Sequence, residues 1–336
     1  MSVDAKISLE TNPPRSARAF WCEEAGRAAL RDAPLPAVLP GQALVRTLFS
    51  GVSRGTERLV FNGRVPASEH ARMRAPMQEG DFPFPVKYGY CAVGIVQDGP
   101  ADWLGARVFA LHPHQSAFVA DVAMMRRVPD ALPARRATLA ANMETALNAL
   151  WDSGAGPGDR IVVVGAGVVG LLTAALAARL PGADVSVVDV DASRAAVCAA
   201  IGAHFVGPGD PRPQDADVVF HASASAPGLG VALEAAGMEA TVVEMSWHGA
   251  GDTPTPLGGA FHSRRLKLVS TQVGQISPGH RPRWDYERRM AKAMELLCDD
   301  RLDALIDREI AFADMPAAAA EIFAPGATGL GIVVAY

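Results

Sequence analysis

Residues 159–170 read DRIVVVGAGVVG, and this stretch decides the fold of the chain. Four consecutive apolar residues, 161–164, precede Gly165, Gly167 and Gly170, which have the spacing G-x-G-x-x-G. Such an apolar run predicts a buried strand, and the LLTAALAARL segment that follows predicts a helix. In a strand–turn–helix unit the first glycine makes the turn, the second admits a pyrophosphate, and the third lets helix and strand approach closely. The stretch therefore predicts a dinucleotide-binding α/β fold with a parallel sheet.

An acidic residue ends the next predicted strand, VSVVDVD. Asp189 follows the glycines by about 20 residues, where a carboxylate is expected to bind the ribose hydroxyls and to repel a 2′-phosphate. This favours NAD over NADP. Arg194 is expected to pair with a ribose or a phosphate, or else to be a solvated charge on the following helix. Free N–H groups at the helix start make Gly167, Val168 and Val169 the predicted phosphate contacts; the alternative is a glycine turn that binds no nucleotide.

The pattern of polar and apolar residues changes at about residue 131. Residues from about 15 to 128 contain short β-type runs separated by Pro and Gly, which is typical of a mostly antiparallel β domain. From there on, Ala-rich helical patterns alternate with apolar strands, which predicts βαβ units and a doubly wound parallel sheet. We predict a β-rich domain over 1–130, a nucleotide-binding domain over 131–284, and a segment over 285–336 that returns to the first domain. Ser223 and Ser246, at predicted strand ends, should line the cofactor site.

Composition limits the partners of the protein. The 336 residues carry a formal net charge of −5, so no excess of Lys and Arg is available to bind nucleic acid or an anionic membrane. The N-terminal sequence predicts neither a signal peptide nor an anchor. Four cysteines far apart in the sequence fit a reducing cytoplasm. We therefore predict a cytoplasmic protein that acts on a small-molecule substrate.

The order of a β-rich region, a GDRIVVVGAGVVG unit and a returning C-terminal segment resembles the medium-chain dehydrogenase/reductase superfamily, the zinc-type alcohol dehydrogenase-like proteins. The stretches SGVSRGTERLVFNG, HPHQSAFV and GGAFHSRRLKLVSTQVG are most similar to the branch that contains the bacteriochlorophyllide hydroxyethyl dehydrogenases. The resemblance implies a GroES-like first domain, a Rossmann domain and an NAD(P)-dependent dehydrogenase or reductase. Many relatives form homodimers by joining sheet edges, and residues 266–274 are a candidate for such an edge.

Zinc-dependent members of the superfamily hold their metal with three protein ligands and one open position. The first ligand position corresponds here to Ser53, or to Arg54 if the gap lies one residue later. The second corresponds to Tyr90 and the third to Ala141. None of these is an ordinary zinc ligand, so the resemblance implies a zinc-independent member with no metal site.

A hydride transfer needs a group that handles the proton and the charge on the substrate oxygen. Tyr90 is expected to donate to a carbonyl oxygen, or else to be a packed tyrosine. Ser53 is a further catalytic candidate, and Glu57, on the same loop, is expected to act in a proton relay or to lie at the surface. His112 and His114 would face one side of a strand, which fits an acid/base or substrate-binding pair, a metal pair, or a structural role.

The resemblance also implies that Arg54 reaches the pyrophosphate and that Thr145 packs against the nicotinamide. The alternative for Thr145 is a hydroxyl bonded to its own helix. Our first hypothesis is a zinc-independent NAD(H)-dependent oxidoreductase acting on an alcohol/carbonyl pair in the cleft between the domains. The alternatives are an NADPH-dependent enoyl or quinone reductase, against which Asp189 counts, and a nucleotide-binding protein without turnover.

Overall fold

The computed structural model describes residues 16–336, so most of the N-terminal stretch considered for a signal peptide or an anchor lies outside the described residues. The chain forms two compact units. Among the described residues, unit 1 consists of 16–138, Glu309–Ala327 and Val333–Tyr336, and unit 2 consists of Leu139–Arg308 and Thr328–Ile332. The domain limits at 130/131 and 284/285 stay predictions.

The described residues form 17 strands and eight α-helices. The strands are β1 (Ser16–Glu24), β2 (Arg27–Pro34), β3 (Gln42–Val52), β4 (Glu79–Gly80), β5 (Val86–Lys87), β6 (Ala92–Asp98), β7 (Arg107–Ala110), β8 (Ala117–Asp121), β9 (Met125–Arg127), β10 (Arg160–Val164), β11 (Asp184–Val188), β12 (His204–Val206), β13 (Ala216–His221), β14 (Ala236–Glu244), β15 (Lys267–Ser270), β16 (Ile306–Ala311) and β17 (Gly331–Ala335). The helices are α1 (Arg54–Phe61), α2 (Ala134–Ala137), α3 (Ala140–Ser153), α4 (Val168–Ala177), α5 (Ala195–Ile201), α6 (Ala226–Ala235), α7 (Tyr286–Leu296) and α8 (Met315–Ile322).

The parallel sheet of unit 2 has the order β12-β11-β10-β13-β14-β15. All five neighbouring pairs are parallel. The chain runs from β10 outward to one edge through β11 and β12, and then returns to the other side of β10 with β13. Ligands of doubly wound sheets bind outside the carboxyl ends of the strands at this reversal. The predicted doubly wound Rossmann sheet is confirmed.

The strands of this sheet are apolar along their length because both faces are covered. Val162, Val219 and Val242 of three adjacent strands share one buried cluster with Leu229 and Leu233 of α6. Burying each such side chain contributes about 1.5–3 kcal/mol relative to leaving it exposed. Apolar runs without alternation are expected for parallel strands between two helical layers. This core fixes the strand ends on which the cofactor residues lie.

Unit 1 is the predicted β-rich, GroES-like part of the fold. It contains a sheet with the order β2-β1-β5-β4. A larger sheet of the chain has the order β16-β17-β3-β6-β7-β9, with β8 also paired to β3. Two local predictions are wrong. Residues 111–116 lie between β7 and β8, so His112 and His114 are not on a strand, and the predicted loop at SGVSRGTE becomes helix α1 from Arg54 onward.

Among residues 16–336, the structure has no helix with both the length and the apolar character that crossing a bilayer requires.

Candidate functional site

Two of the three motif glycines are required by the protein itself. Gly165 has a φ of +110°, and a Cβ there would lie 2.8 Å from the backbone N of Ser223. A Cβ on Gly170 would lie 2.0 Å from the carbonyl oxygen of Gly165. The turn and the close approach of α4 to β10 therefore explain both residues.

Gly167 differs from its two neighbours in the motif. Its φ of −78° and ψ of 175° are open to any residue. A Cβ there would meet nothing within 4 Å. Neither backbone conformation nor protein packing therefore requires a glycine, and the space beside residue 167 is free for a ligand that approaches the backbone.

Helix α4 begins beside this space. It starts at Val168, and no described side chain caps it. The first N–H groups of a helix, here including those of Val168 and Val169, have no partner within the helix, and they lie at the positive end of its dipole. The free space and these donors fit a pyrophosphate.

Asp189 lies directly after β11 and holds the glycine turn. Its Oδ2 accepts the N–H of Ala166 at 2.6 Å, and its Oδ1 accepts the N–H of Asp191 at 2.8 Å. An ionised carboxylate has about four acceptor sites, so each oxygen keeps one for another donor. Asp189 can hold the turn and accept a ribose hydroxyl at the same time; the ribose contact stays a prediction.

Arg194 is buried, with 8% of its surface exposed. Its Nη2 lies 2.9 Å from Oδ2 of Asp191 and donates to the carbonyl oxygen of Gly329 at 2.9 Å. The alternative of a solvated charge is therefore wrong. Its pairing with a ribose or a phosphate stays a prediction.

Two other predicted cofactor contacts are engaged within the protein. Thr145 donates its Oγ1 hydroxyl to the carbonyl oxygen of Ala141 at 2.9 Å, which is the bond that the structural alternative requires. Arg54 donates from Nη1 to the carbonyl oxygen of Ala327 at 3.1 Å. A nicotinamide contact for Thr145 and a pyrophosphate contact for Arg54 stay predictions.

Ser223 and Ser246 belong to a polar group at the ends of β13 and β14, which we call the strand-end cluster: His221, Ser223, Glu244, Ser246 and His248. His221 Nδ1 lies 2.6 Å from Oε2 of Glu244, and His221 Nε2 lies 2.7 Å from Oγ of Ser223. Ser246 donates its N–H to Oε1 of Glu244 at 2.8 Å. Burial raises the pKa of Glu244, but the hydrogen bonds and charge of His221 and the bonds from Ser246 outweigh it and leave the pKa below its ordinary value.

Sequence reasoning selected the two serines of this cluster and missed His221 and Glu244. The signal was available, because both residues end apolar strands that were themselves predicted. Their pairing in register across β13 and β14 places the two side chains on the same face of the sheet.

Unit 1 contains a second polar group, which we call the Glu57 network: Ser50, Ser53, Glu57, Tyr90, His114 and Tyr336. Glu57 Oε2 lies 2.9 Å from His114 Nε2, and Glu57 Oε1 accepts the N–H of Ser53 at 2.7 Å. Glu57 and His114 are 4% and 1% exposed, so the surface alternative for Glu57 is wrong.

The other nitrogen of His114 continues the network. Its Nδ1 lies 2.6 Å from Oγ of Ser50, which lies 2.8 Å from the hydroxyl of Tyr336. An ionised carboxylate only accepts, so with a neutral His114 the Nε2–H donates to Glu57 and Nδ1 accepts from Ser50. The hydroxyl of Tyr336 then donates to Ser50. A sequence separation of 286 residues between Ser50 and Tyr336 explains why this contact was not predicted.

Tyr90 joins the network through Ser53. Its hydroxyl donates to Oγ of Ser53 at 2.5 Å. Ser53 and Tyr90 correspond to the first and second zinc-ligand positions of the medium-chain dehydrogenase/reductase superfamily, and the two side chains are in direct contact here. Burial raises the pKa of Tyr90 above its ordinary value, although hydrogen bonds with Ser53 and Thr56 oppose the shift. Tyr90 is therefore a phenol, a hydrogen-bond donor, throughout the neutral range.

His112 lies in a different setting from His114. Its ring stacks on Phe118 with 3.9 Å between centroids, and its Nδ1–H donates to the carbonyl oxygen of Pro113 at 2.8 Å. Burial lowers its pKa to about 3. Within residues 16–336 neither His112 nor His114 belongs to a group of three metal-ligand side chains. These observations favour the structural alternative for His112, while its acid/base role stays a prediction.

We expect His112 to make the protein less stable in acid. The unfolded histidine binds a proton below pH 6.5, whereas the folded one stays neutral down to about pH 3, so stability is full above pH 6.5 and is lost between these values. The free energy of unfolding should fall by about 1.4 kcal/mol per pH unit in this window from His112 alone.

The variant His112→Asn tests this expectation, because its amide can replace the Nδ1–H donor. Urea unfolding of this variant at pH 7.5 and 5.0 should show a smaller loss of stability than in wild type. His204→Ala, which changes a histidine with an 81% exposed side chain, should keep the wild-type loss. Equal losses in wild type and His112→Asn would contradict the assignment.

Comparison with known proteins agrees with this architecture. Residues 152–245 match the model of the alanine dehydrogenase/PNT C-terminal domain. The chain is 25% identical to D-guloside 3-dehydrogenase of Escherichia coli (strain K12) over 320 residues, which cover 86% of this chain and 91% of that protein. A protein assigned as a zinc-binding dehydrogenase from Sinorhizobium meliloti 1021, solved bound to NADP, has a TM-score of 0.76 at 20% identity and covers 96% of this chain and 100% of its own.

A second solved structure is a short chain alcohol dehydrogenase from E. coli CFT073 in complex with NADH. Its TM-score is 0.74 at 13% identity, and it covers 96% of this chain and 100% of its own. The chain has the fold of these dehydrogenases. The predicted Rossmann sheet with a GroES-like β-rich part is thereby confirmed. One relative is bound to NADP and the other to NADH, so the fold by itself does not select between the two cofactors.

Proposed function

We propose that the protein is a zinc-independent, NAD(H)-dependent oxidoreductase of the medium-chain dehydrogenase/reductase type, acting on an alcohol/carbonyl substrate. The observation that carries the proposal is Gly167, whose missing side chain leaves free space at the start of α4 that no protein group explains. The dehydrogenase names of the relatives support the same reaction class.

The cofactor would be held by unit 2. The N–H groups around Gly167, Val168 and Val169 would bind the pyrophosphate, and Asp189 would accept the ribose hydroxyls. When bound, the nicotinamide supplies or accepts the hydride. The carboxylate of Asp189 favours NAD because a 2′-phosphate beside it would be repelled.

The Glu57 network would handle the proton. The single O–H of Tyr90, which donates to Ser53 in the structure, would turn to the substrate oxygen and stabilise the charge that develops there. Ser53 positions Tyr90, because the Ser53 hydroxyl can then donate to the phenol oxygen while the Ser53 N–H is held by Glu57. Glu57 in turn fixes His114 by accepting from Nε2. Each member therefore restricts the orientation of the next.

The contact between Tyr90 and Ser53 also supports zinc independence. Zinc in proteins is bound by Cys, His, Asp or Glu, and a hydroxyl pair at 2.5 Å offers none of these. In place of a metal, the substrate oxygen would meet a hydrogen-bond donor.

The proposal is tested by binding and turnover on the tag-free full chain. Quenching of protein fluorescence gives the Kd of NADH and NADPH, and a panel of D-gulosides and simple secondary alcohols is screened for NADH formation before and after chelator treatment. We expect tighter binding of NADH and turnover that survives the chelator. Turnover that is lost on chelation and restored by Zn²⁺ would contradict zinc independence. Cofactor binding without turnover of any substrate would favour the alternative of a nucleotide-binding protein that catalyses no reaction.

Asp189→Asn is expected to reduce the preference for NADH over NADPH about tenfold or more. Two unit charges 4 Å apart near a protein surface repel by about 4 kcal/mol, and each ~1.4 kcal/mol is a factor of ten in Kd. The measurement is the ratio of the two Kd values. Asp217→Asn is the matched control, since Asp217 also accepts a strand N–H, that of Arg160 at the amino end of β10, and should leave the ratio unchanged. An unchanged ratio in Asp189→Asn would remove Asp189 from cofactor selection.

A further inference from the structure

The strand-end cluster contains three side chains of the kind that bind transition metals. His221, Glu244 and His248 each offer one ligand atom, and these atoms all lie within 4.8 Å of one another. Glu244 Oε2 lies 2.6 Å from His221 Nδ1 and 3.4 Å from His248 Nε2. Ligands around a tetrahedral zinc ion are separated by about 3.3 Å when the metal–nitrogen distance is about 2.0–2.1 Å. Small side-chain rotations would bring the three donors to these separations.

Two of the three side chains have orienting partners of the kind that metal ligands commonly have. A ligating histidine normally donates its other ring N–H to an acceptor, which fixes its tautomer. Here the Nε2 of His221 faces Oγ of Ser223 at 2.7 Å, and this leaves Nδ1 for a metal. The second oxygen of Glu244 is held by the N–H of Ser246 at 2.8 Å. Two of the three ligands therefore already have orienting partners.

The cluster also has a route from solvent. The side chain of His221 is fully buried, but those of Glu244 and His248 are 17% and 21% exposed. Such an arrangement of three protein ligands beside solvent leaves the fourth position for water.

We propose that His221, Glu244 and His248 form a binding site for a divalent first-row transition ion, with Zn²⁺ as the probe of choice. Two imidazoles and one carboxylate suit such an ion, whereas Ca²⁺ and Mg²⁺ prefer oxygen ligands throughout. When the ion binds, the contact between His221 Nδ1 and Glu244 Oε2 is exchanged for contacts of both atoms with the ion, and His221 keeps its ring proton on Nε2, facing Ser223. The site uses no residue of the Glu57 network.

The proposal does not rest on the proposed function, because its readout is metal binding. The full-length, tag-free protein is stripped with a chelator and dialysed, and Co²⁺ is titrated while the visible absorption of the bound ion is followed. Zn²⁺ is then used to displace Co²⁺, and elemental mass spectrometry gives the stoichiometry. The variants are His248→Ala and Glu244→Gln, both at partly exposed positions, and the control is His204→Ala, a histidine of the same unit with an 81% exposed side chain.

Wild type and His204→Ala are expected to bind one equivalent. His248→Ala is expected to raise the Kd about 100-fold or more, since even the loss of a group that orients a ligand costs about 10–100-fold. Glu244→Gln should show the same direction of change, and circular dichroism should show that both variants are folded. Absence of binding in wild type, or unchanged binding in His248→Ala, would overturn the site; the second result would locate any bound metal elsewhere in the chain.

Discussion

Gly167→Val is expected to weaken NADH binding about 100-fold or more and to leave the free energy of unfolding close to that of wild type. The added side chain enters the free space beside α4, where a Cβ meets no protein atom within 4 Å. It would keep the pyrophosphate from the backbone N–H groups, and each hydrogen bond to a charged group contributes about 1.5–3 kcal/mol. The loss of two such hydrogen bonds corresponds to the expected rise in the Kd of NADH of about 100-fold or more. Fluorescence titration with NADH measures this Kd, and urea unfolding measures the free energy of unfolding.

Two other glycines supply the controls. In Gly170→Ala the Cβ would lie 2.0 Å from the carbonyl oxygen of Gly165, so this variant should lose stability by about 1–3 kcal/mol or more, together with binding. Gly156→Ala adds a Cβ in open space before β10 and should change neither quantity. A Gly167→Val protein that binds NADH as tightly as wild type would show that no dinucleotide lies over this turn, and the proposed function would fail with it.

Tyr90→Phe is expected to lower kcat about 10²–10³-fold, since a positioned proton donor contributes typically 10²–10⁴-fold. The Kd of NADH should not change, because Tyr90 belongs to unit 1 and the predicted pyrophosphate and ribose contacts of unit 2 remain. Burial raises the pKa of Tyr90 above its ordinary value of 10, and a phenol is protonated below its pKa. Activity that depends on this proton should therefore persist to about pH 10 in wild type.

Tyr88→Phe is the matched control for Tyr90→Phe. Tyr88 is buried and its ring meets that of Tyr90 edge-on at 5.9 Å, so the change tests the loss of a neighbouring hydroxyl without removing the proposed donor. It should keep kcat near that of wild type. Glu57→Gln should lower kcat with Tyr90 intact, because Glu57 positions Ser53 and His114. Full turnover in Tyr90→Phe would move the proton-handling role to another member of the Glu57 network.

The sequence was most informative where local pattern and tertiary packing require the same residues. The apolar run 161–164 lies in β10, and the helix predicted at LLTAALAARL begins within α4 (Val168–Ala177). The strand expected to carry His112 and His114 is instead interrupted at 111–116, because Pro113 lacks the N–H that a strand ladder needs. His112 and His114 consequently have different neighbours, Phe118 for the first and Glu57 for the second.

The sequence alone determined the doubly wound sheet, the glycine turn and the position of Asp189 after β11, because each depends on residues that are close in the chain. Only the tertiary structure decided that Glu57 is buried against His114, that Ser50 meets Tyr336, and that Gly167 is the motif glycine that no protein contact explains. These facts depend on which side chains from distant segments share one buried space. Hydrogen bonds between such groups are set by the packing of whole strands, and a one-dimensional pattern of polar and apolar residues does not contain that packing.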